Sequence, residues 1–218
     1  MNDQKQVRVI AGTMIFTVIA VALMLVSGWS GLMSGVWFKM VASTGFLATA
    51  MAAGALRGPC GRTILAALVF CWWGDYFLTR GSETSFLLGL VAFLLGHLGF
   101  AAAFMIHGIN TRWTLAAALM LLIPATTVYF WLEEQLGPMK LPVCAYIAVI
   151  SLMLALAAGT RGQGATRLIL VGATLFYASD LFVARQKFGT PSPWNPLIGL
   201  PLYYAAQLCL ASSVARIR

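Results

Sequence analysis

Apolar stretches of close to twenty residues recur from one end of the chain to the other, separated by short connections rich in breakers. An α-helix needs about 20 predominantly apolar residues to cross the hydrocarbon of a bilayer, so each stretch reads as a membrane span. The pattern places spans at 7–26, 36–56, 62–80, 86–106, 112–131, 139–159, 164–183 and 197–215. Breakers fall where helices should end: Gly58-Pro59, Gly137-Pro138, Gly162 and Gly164, then Pro191, Pro193 and Pro196. The first stretch is apolar from Val9 to Val26, too long for a secretory leader, and is expected to stay as an anchor. The expected architecture is all-α: a polytopic bundle of about eight transmembrane helices, one domain over residues 1–218.

Composition removes the soluble alternative. Hydrophobic residues make up 61% of the 218 and charged residues 9%, whereas soluble domains carry about a quarter charged. A water-exposed surface cannot be built from so few charges. The net charge of +8 does not point to nucleic acid, because the basic residues sit at helix ends rather than on one patch. They report orientation instead. Lys5, Arg8, Arg57, Arg62, Arg112, Arg161, Arg167, Arg216 and Arg218 fall on one side, Lys39, Arg80, Lys140, Arg185 and Lys187 on the other. The excess places both termini in the cytoplasm and the loop from Arg185 to Trp194 outside. The expected location is a bacterial inner (cytoplasmic) membrane.

Small residues crowd the second span (Ala42, Ser43, Gly45, Ala48, Ala50), as expected where membrane helices approach closely. Cys60, Cys71, Cys144 and Cys209 are scattered singly, with no CxxC pair, and read as small buried hydrophobes. The two histidines, His97 and His107, leave too few ligands for a conventional zinc site, and nothing calls for a metal or other cofactor. Neither a GxSxG elbow nor an HExxH helix is present, which argues against serine and zinc hydrolases. One internal echo stands out: CWWGDYFLTR in the third span against FYASDLFVAR in the seventh. It would relate two four-helix halves in parallel and give Asp75 and Asp180 equivalent depths, each five residues before an arginine that marks the outer helix end.

An aspartate inside a span costs about 2.5–3.5 kcal/mol on insertion scales, so Asp75 and Asp180 must face the bundle interior or a polar cavity. They are the candidate catalytic pair, with polar clamps between helices as the structural alternative. Lys39 enters the second span from the outer side, one turn above Ser43, where snorkelling is the competing reading. His97, midway along the fourth span, is either a functional group or an ordinary interhelical hydrogen bond. Tyr203, Tyr204 and Gln207 open the last span; tyrosines there also form interfacial belts. Tyr146, in the sixth span, reads first as a packed tyrosine with one satisfied hydroxyl. With the orientation above, most of these share the outer half of the membrane with His97 at the floor, which implies a single cavity. Glu133 and Glu134 read as a solvated loop pair.

GDYFL after an apolar run, FLLGHLGF one helix later, SDLF followed by KF, and YYAAQ in the last helix occur in that order. Together they resemble the YhhN-type lysoplasmalogenase family, from about Lys39 to Ser212. Where that family has Lys-Pro in its second span, this chain has Lys39-Met40. The resemblance implies a lysophospholipid substrate, a lysoplasmalogen, held in the membrane. Its vinyl-ether bond would be cleaved to a fatty aldehyde and glycerophosphoethanolamine or glycerophosphocholine. Such an enol ether is hydrolysed by protonating its alkene carbon, after which water attacks the oxocarbenium ion. Two aspartates in one poorly solvated site are expected not to ionise together, which supplies an acid and a carboxylate as in glycoside hydrolysis. Lys39 would meet the phosphate; His97, Tyr204 and Gln207 would hold water or the glycerol hydroxyl. A small membrane transporter or lipid-binding channel is the competing reading, since intramembrane acids with a lysine also build substrate pathways. A non-catalytic scaffold is the third.

Overall fold

A computed structural model of the protein describes residues 3–30 and 35–217, and all regular structure among them is helical. Eight α-helices follow one another: α1 Asp3–Ser30, α2 Gly35–Ala53, α3 Pro59–Leu78, α4 Glu83–His107, α5 Thr111–Leu132, α6 Lys140–Gly159, α7 Thr166–Phe188 and α8 Trp194–Ser213. Arg218, counted above among the inner cations, lies outside the described residues.

The largest displacement of a single helix end is in α7, which ends at Phe188 rather than 183. Hydropathy falls at Arg185-Gln186-Lys187, but these are good helix formers, and cations favour a helix C-terminus. The helix stops only at Gly189. α3 stops at Leu78, where the chain turns through Gly81 at φ +72°. The expectation that both aspartates lie five residues from a helix end is therefore corrected. α3 finishes less than a turn beyond Asp75, and α7 runs on for more than two turns beyond Asp180.

Among the described residues, seven helices are long and apolar enough to cross a membrane, and the chain is an integral membrane protein. α3 falls short of that measure because Arg62, Trp72, Trp73 and Asp75 occupy positions that aliphatics fill elsewhere. It nevertheless lies antiparallel along α4 for its whole length. Glycines of α4 make this approach possible: a Cβ on Gly89 would meet Leu78, on Gly96 the Cys71 sulfur, and on Gly99 Ala67, each within 3 Å. At the far end the Cys60 thiol donates to the Ala103 carbonyl at 3.2 Å. Lipid offers no hydrophobic drive for helices to associate, so close van der Waals contact of this kind supplies the attraction.

The packing partners repeat. α1 packs on α2, α3 on α4, α5 on α6 and α7 on α8; α2 touches α3 and α8, while α6 touches α7 and α4. Exchanging α1–α4 for α5–α8 reproduces these pairings. Phe46, Leu68, Phe100, Phe104 and Phe176 fill the centre of the bundle. α5 leans on α6 and leaves Leu119, Met120 and Ile123 facing outward.

Candidate active site

Two close helix approaches shape the site. A Cβ on Gly74, the neighbour of Asp75, would lie 2.6 Å from the Phe93 ring, and one on Gly199 would lie 2.8 Å from Phe182 Cβ. With only hydrogens there, Phe93 seats against α3 and meets Tyr203 edge-on at 5.8 Å between ring centroids. Between these pairs lies a cavity of about 430 Å³ at the end of the bundle where α2, α4, α6 and α8 begin. Its walls are mainly apolar, with Leu90, Phe93, Ile147, Ile150 and Leu200 among them, and into them are set Lys39, Asp75, Tyr146, Asp180 and Tyr203.

Asp75 is 2% exposed. Its Oδ1 lies 3.3 Å from Lys39 Nζ, and its Oδ2 accepts from Tyr203 and Ser43 at 2.7 Å each. Ser43 has one hydroxyl hydrogen to share between this carboxylate and the Lys39 carbonyl 2.9 Å away. Tyr204 braces the same turn of α2, its hydroxyl 3.1 Å from Ser43 Oγ and 3.2 Å from the Lys39 oxygen. An ion pair this deep is stable only if further hydrogen bonds satisfy the charges, and Asp75 has them.

Asp180 is placed differently. Its side chain is 17% exposed and takes a 2.6 Å hydrogen bond from Tyr146 on Oδ2. His97 Nε2 stands 3.4 Å from the same oxygen and 2.9 Å from the Tyr146 hydroxyl. Because Tyr146 spends its one hydrogen on Asp180, His97 donates to the Tyr146 oxygen from Nε2, with Nδ1 on the opposite side of the ring. That buried Nδ1 has no partner among the described residues. Among the described residues, the Asp180 Oδ1 has one hydrogen-bonding neighbour, the Ser179 hydroxyl at 3.4 Å.

The two networks are built from corresponding helices. Asp75 on α3 is held from α2 and α8; Asp180 on α7 is held from α6 and α4. Exchanging the halves of the bundle carries one set of helices onto the other. No hydrogen bond joins the two carboxylates among the described residues.

Five of the residues singled out from sequence thus line the cavity: Lys39, Asp75, Tyr146, Asp180 and Tyr203. His97 sits behind Tyr146, and Tyr204 behind Lys39, without lining it. Gln207 is fully buried away from it; neither amide atom has a nitrogen or oxygen partner among the described residues, and its polar neighbour is the Cys71 thiol. Cys144, expected to be buried, faces outward on α6. Glu133 is not merely solvated, since Lys140 lies 2.6 Å from it. Sequence reasoning passed over Lys187, Gln186 and Asn195, which also line the cavity. Lys187 did carry a signal, as the lysine of the KF motif, but it was read for topology alone.

In comparison with known families, residues 34–214 match the YhhN family. The chain belongs to the YhhN family. It is 32% identical to the lysoplasmalogenase TMEM86A of Bos taurus, covering 75% of this chain and 69% of the relative. The lysoplasmalogenase of Mycobacterium bovis is 30% identical, with 83% and 77% covered. The lysoplasmalogenase TMEM86B of Rattus norvegicus is 34% identical, with 70% of each covered. No solved structure matches this YhhN chain.

Proposed function

We propose that the protein is a lysoplasmalogenase, that Asp180 is its general acid and that Asp75 is the fixed negative charge opposite. The reading rests on one observation: two carboxylates with unlike surroundings open on a single apolar cavity. Asp75 has a cation on Oδ1 and the Tyr203 and Ser43 hydroxyls on Oδ2, surroundings suited to a carboxylate held as a charge. Among the described residues, Asp180 has one long contact on Oδ1, from Ser179 at 3.4 Å, and one short donor on Oδ2, an arrangement with room for a proton that can be given up.

Asp180 transfers its proton to the alkene carbon remote from the ether oxygen. The positive charge that develops on the ether oxygen and its neighbouring carbon lies opposite Asp75 in a medium of low dielectric, where a preoriented charge acts most strongly. Water adds to the cationic carbon and gives its proton back to Asp180. The hemiacetal then collapses, its hydroxyl proton moving to the departing glycerol oxygen, to release a fatty aldehyde and the glycerophosphodiester. Water enters and the acid is regenerated, so atoms and charges balance without a cofactor. His97 and Tyr146 hold the Asp180 carboxyl in place, and Lys39 holds Asp75.

The basic asymmetry supports both termini in the cytoplasm of a bacterial inner membrane, with the cavity opening outward. The test is to incubate detergent-purified protein with a lysoplasmalogen and with its saturated-ether analogue. Aldehyde from the first alone is the expected result. Aldehyde from neither, with passage of intact lipid across liposomes, would replace the hydrolase by a transporter.

A further inference from the structure

Among the described residues, two cations line the cavity, Lys39 and Lys187. Lys39 is already engaged by Asp75 at 3.3 Å. Lys187 has no ion-pair partner among the described residues, and its Nζ rests over the Phe86 ring, 4.8 Å from the centroid. Phe86 in turn meets Phe188 edge-on at 5.7 Å, so the ammonium stands on an aromatic rim formed by the start of α4 and the end of α7. The rim is fixed. Gln186 Oε1 accepts from the Ser192 amide at 3.0 Å and from Asn195 Nδ2 at 2.7 Å, and Asn195 also donates to the Thr190 carbonyl at 3.0 Å, tying the end of α7 to the start of α8.

Lys187 follows Asp180 by seven positions, which is two turns along the same helical face and about 10 Å at 1.5 Å per residue. In a lysoplasmalogen, seven covalent bonds separate the alkene carbon that takes the proton from the phosphorus. At the advance per bond of an extended chain they span about 8 Å. We infer that Lys187 anchors the anionic phosphodiester of a lysophospholipid head group at the cavity mouth and so sets the vinyl ether level with Asp180. This rests on the substrate reading above and assigns the phosphate contact to a lysine other than Lys39. A head group at the mouth and an ether deeper in the bundle also match the natural orientation of a lysolipid in a leaflet.

The full-length protein in neutral detergent is titrated with two non-hydrolysable ligands of equal tail length, a saturated-ether lysophosphoethanolamine and the corresponding 1-O-alkylglycerol, binding being read by tryptophan fluorescence. The wild type should bind the phosphate-bearing ligand about tenfold more tightly, as expected of a charge-assisted contact. Lys187→Gln should bring the two ligands to near parity, and Lys187→Arg should keep most of the preference. Because Lys187 is exposed, neither change should disturb folding. A Lys187→Gln variant that retains the preference, or a wild type that shows none, overturns the assignment. Displacement by inorganic phosphate without any preference between the lipids would mark a free-phosphate site and overturns it equally. Neither ligand is cleaved, so failure of the hydrolase reading would appear separately, as absence of aldehyde from the vinyl ether.

Discussion

The Tyr146 hydroxyl donates a 2.6 Å hydrogen bond to Asp180 Oδ2 while its ring packs edge-on against His97 at 5.2 Å. Tyr146→Phe removes the hydrogen bond and keeps the ring. Asp180 becomes charged as it gives up its proton, and hydrogen bonds to charged groups contribute about 1.5–3 kcal/mol, so kcat should fall roughly ten- to a hundredfold. Thermal melting in detergent should be little changed. Steady-state assays that find kcat intact would detach Tyr146 from the chemistry.

Asp75→Asn and Asp180→Asn preserve shape while removing charge and acidity. Each should lower turnover by about 10² to 10⁴, the range for loss of a general acid or its partner. The double variant should be scarcely slower than the worse single one, because groups that act as a unit are not additive. Single-turnover aldehyde release checks this. Near-wild-type activity in either variant would make the aspartates structural clamps.

Lys39→Ala leaves Asp75 buried without its cation. Removing one member of a buried pair costs about 3–5 kcal/mol, so the variant should melt well below the wild type and lose turnover. Adding Asp75→Asn should recover much of the stability and none of the activity. If Lys39→Ala instead raises KM alone with normal melting, the lysine belongs to substrate binding.

The α class and the eight helices were legible because a membrane demands long apolar runs and leaves few other solutions. The aspartates were legible because a carboxylate there needs a reason. Their unequal surroundings were not, since Asp75 takes its partners from α2 and α8 and Asp180 from α4 and α6. Sequence distance hides such pairings: Tyr203 lies 128 positions from the carboxylate it touches. Lys187 was missed because hydropathy ends the span before the hydrogen-bonded helix ends.

Gly74→Ala should push the Phe93 ring away from α3 and, through it, Tyr203. Overpacking of this kind costs about 1–3 kcal/mol. Gly12→Ala on α1, where nothing lies within 4 Å of the added carbon, serves as the control and should be neutral or slightly stabilising. Equal melting temperatures for the two variants would show that the α3–α4 contact tolerates the methyl group.

Orientation is open to a direct check. A cysteine introduced at Thr190, between α7 and α8, should react with a membrane-impermeant maleimide from outside intact cells. The native Cys60, Cys71, Cys144 and Cys209 are replaced first. Labelling only after the cells are broken would reverse the orientation and turn the cavity toward the cytoplasm.

α3, which among the described helices falls short of the length-and-apolarity measure of a span, also carries Asp75. During synthesis the bilayer meets it before Tyr203 exists to satisfy that carboxylate, so α3 has to be retained by elements made ahead of α8: Lys39 and Ser43 before it, and the glycine-lined face of α4 that follows. An Asp75→Leu substitution should therefore make α3 a better membrane segment in isolation and the protein a dead enzyme, with biogenesis and catalysis pulling this one helix in opposite directions.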